Sequence, residues 1–249
     1  MIPLKSKEDL EMMRRSGRIL AVIMAKLREF IKPAMKTSEI DMFAGELFER
    51  EKVKSAFKGY KGFPANICTS VNEEVIHGIP GERRLEEGDI ISLDLGVDYA
   101  GYFTDAAVTV PVGRVDARKN KLIEVTEKAL TFGISQARVK NRLSDISCAI
   151  QSYVERNGFS VVRQFVGHGI GASLHEEPEI PNYGTAHRGE VLESGMVFAI
   201  EPMVNAGVWE CKILNNGWTA VTVDGLESAH FEHTVAITEN GPEILTLNA

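Results

Sequence analysis

The chain contains 249 residues, of which 44% are hydrophobic and 25% charged, a composition typical of a globular protein with a substantial core. A formal net charge of −7 disfavours nucleic acid as the main ligand, because the sequence has no basic stripe to neutralise phosphates. The sequence shows neither an apolar signal-peptide core nor a run long enough to cross a membrane, and its three scattered cysteines are typical of a reducing compartment. We therefore expect a cytoplasmic protein that binds neither nucleic acid nor membrane.

The first part of the chain predicts two helices followed by short strands. Ser6 begins a capping pattern with an acid three residues later, and apolar residues recur at helical spacing from there to Ile31. Pro33 is expected to end this helix. A second helix is predicted for about residues 38–52, and residues 57–80 are rich in turn-forming residues with short β runs.

A β-hairpin is predicted for residues 90–110, where two β-rich runs flank a short turn. If the chain reverses between Tyr99 and Ala100, Asp94 lies directly opposite Asp105, with their Cβ atoms about 5 Å apart. Like charges in such a pair are destabilising, and a shared proton or a shared cation usually relieves them. The alternative is a slipped register or two solvated acids.

The second part of the chain repeats this order of elements. Helices are predicted for about residues 118–140 and 144–155, and strand-rich sequence follows to the end. No linker rich in Ser, Gly or Pro separates the two parts. The sequence therefore predicts one α+β domain over residues 1–249, with halves of about 1–115 and 116–249.

The two halves also share motifs. Residues 85–94 resemble residues 192–201 in their Leu, Glu and Gly positions, in the apolar strand that follows, and in the acid that ends it. A His-Gly-Ile sequence precedes each copy, and an acid on a second strand follows each, at Asp105 and Glu232. Three echoes in the same order indicate a duplicated half with pseudo-twofold symmetry. Such symmetry would bring four carboxylates and a histidine together, which is a ligand set for two metal ions.

As a set, the motifs resemble those of type I methionine aminopeptidases. Order and spacing agree over nearly the whole chain for His77-Gly-Ile-Pro80, Asp94-Leu-Gly96, Gly101-Tyr-Phe-Thr-Asp105, Gly167-His-Gly-Ile-Gly171, His175-Glu-Glu-Pro178, Glu201-Pro-Met203 and Phe231-Glu-His-Thr234. The resemblance implies the pita-bread fold, a pseudo-symmetric α+β domain built around a central dinuclear metal site.

By the resemblance, five residues are metal ligands: Asp94, Asp105, His168, Glu201 and Glu232. The acids matching Asp105 and Glu232 bridge both ions in the family, the acid matching Asp94 binds one ion, and the residues matching His168 and Glu201 bind the other. Oxygen and imidazole ligands suit Mn, Fe, Co or Zn. Without the matching acids, a lone histidine such as His168 would be interpreted as structural.

The resemblance also implies the residues that contact the substrate. His77 and His175 match two histidines near the scissile peptide that do not bind metal, and Glu201 is expected to transfer a proton as well as bind metal. Four residues match positions that line a pocket for the methionine side chain: Tyr60, Phe63, Cys68 and Trp218. Phe63 and Leu174 stand where some relatives have Tyr and Phe, which affects the expected pocket shape.

Each of these residues has a simpler interpretation. His175 could be a cap or ion-pair partner beside Glu176 and Glu177, and His77 could be structural as well. Trp218 and Tyr60 would otherwise be core aromatics, and Cys68 is expected to be an unreactive part of the packing or the pocket wall. For the remaining histidines, His187 and His230 are expected to have surface or structural roles, and His233 is expected to face away from the site by strand parity.

The predicted function is removal of the initiator methionine from nascent proteins and peptides whose second residue is small. Two divalent ions about 3.5 Å apart would activate a hydroxide that attacks the first peptide bond. The expected substrates are peptides with an N-terminal Met. The resemblance further implies a monomer, allows a monovalent cation near Asn72 and Ser228, and is compatible with transient ribosome contact, although no basic patch indicates it.

Three rival functions remain at this stage. A proline-specific aminopeptidase or dipeptidase of the same fold usually has an additional N-terminal domain. A non-catalytic binding protein of this fold typically lacks metal ligands, whereas all five positions are filled here. A metal-dependent phosphoesterase would also use carboxylate pairs, but the sequence has no arginine or Gly-Lys phosphate cradle.

Overall fold

The computed structural model describes residues 2–247, so both ends of the predicted domain lie outside the described residues. It contains four α-helices, α1 (Lys7–Phe30), α2 (Thr37–Glu51), α3 (Ala117–Gln136) and α4 (Leu143–Arg156). Its strands are β1 (Lys54–Ser55), β2 (Cys68–Val71), β3 (Glu74–Ile76), β4 (Ile90–Tyr99), β5 (Tyr102–Pro111), β6 (Ser160–Val161), β7 (Gly167–Gly169), β8 (Glu176–Ile180), β9 (Val197–Ile200), β10 (Met203–Asn205), β11 (Cys211–Ile213), β12 (Ala220–Thr222), β13 (Ser228–His230), β14 (Glu232–Thr238) and β15 (Gly241–Ile244). Among residues 2–247, no helix combines the length and the apolar character that a membrane crossing requires.

The predicted helices form close to their predicted bounds. The cap of α1 is the predicted one, because Ser6 Oγ accepts a hydrogen bond from the Asp9 amide at 3.1 Å and the Ser6 amide donates to Asp9 Oδ2 at 2.9 Å. This helix ends at Phe30, three residues before Pro33. The other three helices begin within one residue of the predicted starts, and α3 ends four residues early.

An antiparallel sheet of nine strands forms the centre of the molecule. Its main path has the order β1-β4-β5-β14-β9-β7-β8, with β2 pairing with β4 and β15 pairing with β14. The apolar faces of the helices pack on this sheet, and a single core cluster joins Leu20 of α1 and Ile146 of α4 to Leu93 and Ile200 of the strands. Two small three-stranded sheets, β13-β10-β6 and β11-β12-β3, lie beside it. The mixed helix-and-sheet architecture predicted from the sequence is therefore present.

The two halves of the chain meet at β5 and β14, which are neighbours in this sheet. Glu232 pairs with Ala107, and His233 pairs with Ala106. In each half two helices precede the strands, α1 and α2 before β4 and β5, and α3 and α4 before β9 and β14. The pseudo-twofold symmetry and the division near residue 115 stay predictions.

The predicted register of the β4–β5 hairpin is wrong. Tyr99 pairs with Tyr102, so Ala100 and Gly101 form a two-residue loop in which both φ angles are positive, 54° and 85°. Positive φ at both positions is the mark of a type I′ turn, whose twist matches that of the flanking strands. The Asp98 carboxylate also accepts a hydrogen bond from the Gly101 amide at 2.8 Å, which holds the turn one residue beyond the chain reversal assumed in the prediction.

The correction changes the pairing but not the face on which the side chains lie. Asp94 pairs with Ala107, and Asp105 pairs with Gly96, so the two acids are diagonal neighbours and not direct partners. Because the shift of register is even, both acids remain on the same side of the sheet. The hairpin therefore still brings the two carboxylates to one site.

Candidate metal centre and binding cleft

Four carboxylates from four adjacent strands come together at the middle of the sheet. Asp94 lies on β4, Asp105 on β5, Glu232 at the start of β14, and Glu201 directly after β9. The pairings place Asp94 and Glu232 on either side of Ala107, whose methyl group occupies little of the space between them. Asp94, Asp105 and Glu232 are buried, and Glu201 is nearly so.

His168 reaches the same place from β7, on the far side of β9. Its Nδ1 lies 2.8 Å from the Gly169 carbonyl oxygen and donates to it, so Nε2 keeps its lone pair and lies 3.6 Å from Glu201 Oε1. The glycines around it permit this close packing, because a Cβ on Gly169 would lie 2.1 Å from the Glu177 carbonyl oxygen. Ligand atoms of Asp105, His168 and Glu232 all lie within 4.8 Å of one another.

The electrostatics of this cluster favour a cation. One carboxylate oxygen each of Asp94, Asp105 and Glu232 is buried and has no hydrogen-bond partner within residues 2–247. Burial raises the pKa of Asp105 to about 7, and burial together with the neighbouring acids raises the pKa values of Asp94, Glu201 and Glu232 well above their usual range. Burial lowers the pKa of His168 to about 3, which keeps the imidazole neutral and able to coordinate. The oxygen and nitrogen donors present therefore fit a hard or borderline divalent metal.

A cavity of about 160 Å³ opens beside the carboxylates. All eleven residues predicted for the site line it: Tyr60, Phe63, Cys68, His77, Asp94, Asp105, His168, His175, Glu201, Trp218 and Glu232. Phe57, Lys61 and Leu174 complete the wall. The sequence analysis did not assign Phe57 and Lys61 to the site, although both lie within three residues of Tyr60.

One end of the cavity is an apolar slot. Phe63 packs edge-on against Trp218 with ring centroids 5.1 Å apart, and against Phe57 at 6.4 Å. Cys68 pairs with Asp94 across β2 and β4, and burial with the nearby acid raises the pKa of its thiol well above the usual range. A protonated, buried thiol is an apolar wall and not a nucleophile, as the sequence predicted.

Two histidines lie at the polar end of the slot. The ring of His175 stacks on Tyr60 at 5.2 Å and lies 4.1 Å from the ring of His168. His77 packs edge-on against Trp218 at 6.3 Å, and burial followed by the charge of His175 lowers its pKa to about 4. Partial burial and the Lys61 ammonium also lower the pKa of His175. Both rings are therefore neutral near pH 7 and offer one N–H donor each.

The comparison with protein families decides the class of the protein. Residues 11–239 match the model of metallopeptidase family M24. The chain belongs to this family. It is 52% identical over 247 residues to the methionine aminopeptidase of Clostridium perfringens, covering 99% of each chain. The family and the metallopeptidase class predicted from the sequence are thus confirmed.

Solved structures of related proteins have the same fold as this chain. The crystal structure of methionine aminopeptidase from Thermotoga maritima superposes with a TM-score of 0.98 at 47% identity and covers 100% of both chains. Prolidase from Pyrococcus furiosus has a TM-score of 0.81 at 23% identity, and the match covers 99% of this chain and 66% of that one. The prolidase likeness concerns the fold alone. The predicted pita-bread fold is therefore confirmed.

The other histidines of this M24 protein differ in burial. His187 is exposed, with its Nδ1 3.1 Å from Asp145 Oδ1. His233 bonds to Thr246 Oγ1 at 2.8 Å and does not line the cavity, as strand parity predicted. His230 is only 2% exposed, so a surface role is excluded, and its Nε2 lies 3.7 Å from Glu201 Oε2. Strand parity does not link it to Glu232, because His230 ends β13 and Glu232 begins β14, which belong to different sheets.

Proposed function

We propose that the chain removes N-terminal methionine from peptides and nascent proteins whose second residue is small. The main support is one cavity in which five candidate metal ligands adjoin an apolar slot lined by aromatic rings and a thiol. The names of its relatives in Clostridium perfringens and Thermotoga maritima point the same way.

The metal proposal is a pair of divalent ions held by Asp94, Asp105, His168, Glu201 and Glu232. Three buried carboxylate oxygens without partners among the described residues support it, as do the raised pKa values of the acids. When bound, such ions supply a Lewis acid and an activated water nucleophile. The donor set suits Mn, Fe, Co and Zn alike, so metal analysis of the purified protein must name the ion.

The chain's own groups would then position the substrate and move protons. Glu201 has its carboxylate beside both His168 and His230, and it is placed to accept a proton from water and return it to the leaving amine. His175, at the open mouth of the cavity, would donate a hydrogen bond to the developing oxyanion. His77, on the Trp218 side, would donate to the substrate backbone.

The apolar slot would take the methionine side chain. Methionine is unbranched and polarizable, and it makes favourable contacts with aromatic rings. Phe63, Trp218 and Tyr60 supply rings, and Cys68 and Leu174 supply the remaining wall. The resemblance to methionine aminopeptidases adds that the second substrate residue, which would lie near the two histidines, must be small.

Several finer expectations stay predictions. We propose a monomer in the cytoplasm that contacts the ribosome only transiently. A monovalent cation near Asn72 and Ser228 is also a prediction, supported by the close approach of these segments, in which the Ser228 amide donates to the Asn72 carbonyl oxygen at 2.8 Å.

The experiment that tests the function is a product assay with the metal-loaded protein. Met-Ala-Ser should release free methionine, Met-Leu-Ser should react far more slowly, and p-nitrophenyl phosphate should not react. Demand for proline in the second position would favour the proline-specific rival. Phosphatase activity would favour the phosphoesterase, and binding of peptides without cleavage would favour the non-catalytic rival.

A further inference from the structure

We propose that Lys5 and Glu176 form a positioning clamp for the loop of residues 171–176, and through it for His175. The clamp consists of the Lys5–Glu176 ion pair and the two amides that Glu176 holds, those of Ala172 and Ser173. This inference rests on the proposed function, because it assigns His175 to the substrate. Neither Lys5 nor Glu176 lines the cavity, so both act through the loop.

The Glu176 carboxylate is the centre of the clamp. Its Oε2 accepts from Lys5 Nζ at 2.5 Å, and its Oε1 accepts from the Ala172 amide at 2.7 Å and the Ser173 amide at 3.1 Å. The two side chains of the ion pair are only 10% and 12% exposed. A carboxylate this sheltered from water needs the ammonium, because an unpaired buried charge is strongly destabilising.

Lys5 is itself held in place by the backbone. Its amide donates to the Gly195 carbonyl oxygen at 2.7 Å, and the Gly195 amide donates to Ile237 at 2.9 Å. The next residue, Ser6, caps α1. The ammonium therefore extends from a fixed point on the sheet and the helix, and not from a free arm.

The loop is shaped to receive this side chain. A Cβ on Gly171 would lie 2.1 Å from Lys5 Cε and 3.0 Å from Glu176 Oε1, so only glycine permits the observed contact. The Gly171 carbonyl oxygen accepts from the Phe103 amide at 2.8 Å, which joins the loop to β5. The loop is thus fixed to β5 at its first residue and to Lys5 at its last.

The clamp determines where His175 lies, because His175 directly precedes Glu176. Its ring stacks on Tyr60 and lies 4.1 Å from the His168 ring, while Leu174 is buried in the slot wall. Glu176 also pairs with Gly169, next to His168, at a point where the register of β7 and β8 shifts. Displacement of the Glu176 carboxylate would therefore move the oxyanion donor relative to the metal ligands.

An ion pair between α1 and β15 provides a matched control. Arg14 donates to Glu243 through Nε at 2.7 Å and Nη2 at 2.8 Å, which ties the helix to β15 without touching the cavity. A purely structural role for Lys5 predicts that Lys5→Met and Arg14→Met behave alike. A positioning role predicts that only Lys5→Met changes catalysis.

The first test measures kcat and KM of the metal-loaded wild type and of both variants, with Met-Ala-Ser as substrate. Lys5→Met should keep its metal content and its KM within about twofold, while kcat falls between about tenfold and a hundredfold, as expected for a misplaced catalytic group. Arg14→Met should lower the melting temperature without a comparable fall in kcat. Alkylation of Lys5→Cys with 2-bromoethylamine restores an ammonium at nearly the original length and should restore kcat, with treated wild type as the control.

A second measurement decides the proposal without any activity. In the ¹H–¹³C spectrum of the metal-free protein, the His175 Cε1–H signal should shift or broaden in Lys5→Met and stay unchanged in Arg14→Met. Unchanged kcat in Lys5→Met, or an unmoved His175 signal, would overturn the clamp. A wild-type protein that releases no methionine would instead contradict the proposed function. The His175 signal would then be the remaining test of the clamp.

Discussion

Asp94 and Asp105 lie diagonally across the β4–β5 hairpin, on the same face and two residue pairs apart along the ladder. The offset avoids two carboxylates in direct opposition but keeps both in the buried cluster that Glu232 joins from the next strand. Each of the three retains an oxygen without a hydrogen-bond partner among residues 2–247. Burial of neighbouring carboxylates is destabilising unless they share a proton or a cation. The following predictions test whether they share a proton or a metal ion.

Asp105→Asn should lower metal occupancy and reduce peptidase activity by orders of magnitude, because a proposed metal ligand would be lost. Metal content by plasma mass spectrometry and kcat with Met-Ala-Ser would measure the two effects. The matched control is Asp98→Asn on the same hairpin, which should keep both. A metal-replete, fully active Asp105→Asn protein would remove Asp105 from the ligand set.

The same substitution should change how the stability of the metal-free protein depends on pH. Burial raises the pKa of Asp105 to about 7, so between about pH 4 and pH 7 the folded protein holds a proton that the unfolded chain has lost. This term makes the free energy of unfolding fall as pH rises, by about 1.4 kcal/mol per unit at most.

Asp105→Asn lacks this contribution. The free energy of unfolding of the variant, relative to that of the wild type, should therefore increase from pH 4 to pH 7. Urea unfolding in the presence of a chelator measures it. The buried histidines have depressed pKa values and act in the opposite direction, but they are common to both proteins and cancel in the difference. A difference that does not change with pH would contradict the raised pKa.

His77→Ala and His175→Ala should each lower kcat by about a hundredfold or more, since one hydrogen bond to the transition state would be lost. Metal stoichiometry should stay at the wild-type value, because neither residue belongs to the proposed ligand set. His187→Ala, at an exposed histidine outside the cavity, is the control and should behave like wild type. Loss of metal from either active-site variant would make that histidine a ligand.

The apolar slot predicts the selectivity for the first residue. Norleucine has nearly the shape of methionine and should be released from a norleucine-Ala peptide with kcat/KM within about tenfold of Met-Ala, while Leu-Ala should fall by about 10- to 200-fold. Phe63→Ala should reduce this discrimination, because Phe63 contacts both Trp218 and Phe57 in the slot. Equal turnover of Leu-Ala and Met-Ala would show that the slot does not bind the first side chain.

Local patterns in the sequence predicted the elements that depend on local chemistry. The Ser6–Asp9 cap and the helix starts formed as expected, because capping and apolar periodicity involve residues only a few positions apart. The hairpin register was predicted incorrectly, because the Ala100–Gly101 turn depends on positive φ angles and on the Asp98 side chain. An even slip preserved the face, so the candidate site survived the error.

Contacts between distant segments could not be predicted in this way. Lys5 and Glu176 are 171 positions apart, and no periodicity links them. His230 was expected at the surface or in a structural role; its burial excludes the surface, and its position beside Glu201, 29 residues earlier in the chain, was not predicted. The hairpin and the repeated motifs indicated the four carboxylates and a histidine, whereas the six other predicted residues of the cavity wall were found only through the family resemblance.

The central claim is that buried carboxylates and His168 hold metal that cleaves methionine from a peptide. It is tested most directly by incubating chelator-treated protein with Met-Ala-Ser and Met-Leu-Ser, before and after titration with Mn, Fe, Co or Zn. We predict no release without metal, release of methionine from Met-Ala-Ser that rises with metal and saturates at two equivalents, and little release from Met-Leu-Ser. Methionine release that survives complete metal removal, or a fully loaded protein that cleaves neither peptide, would contradict the claim.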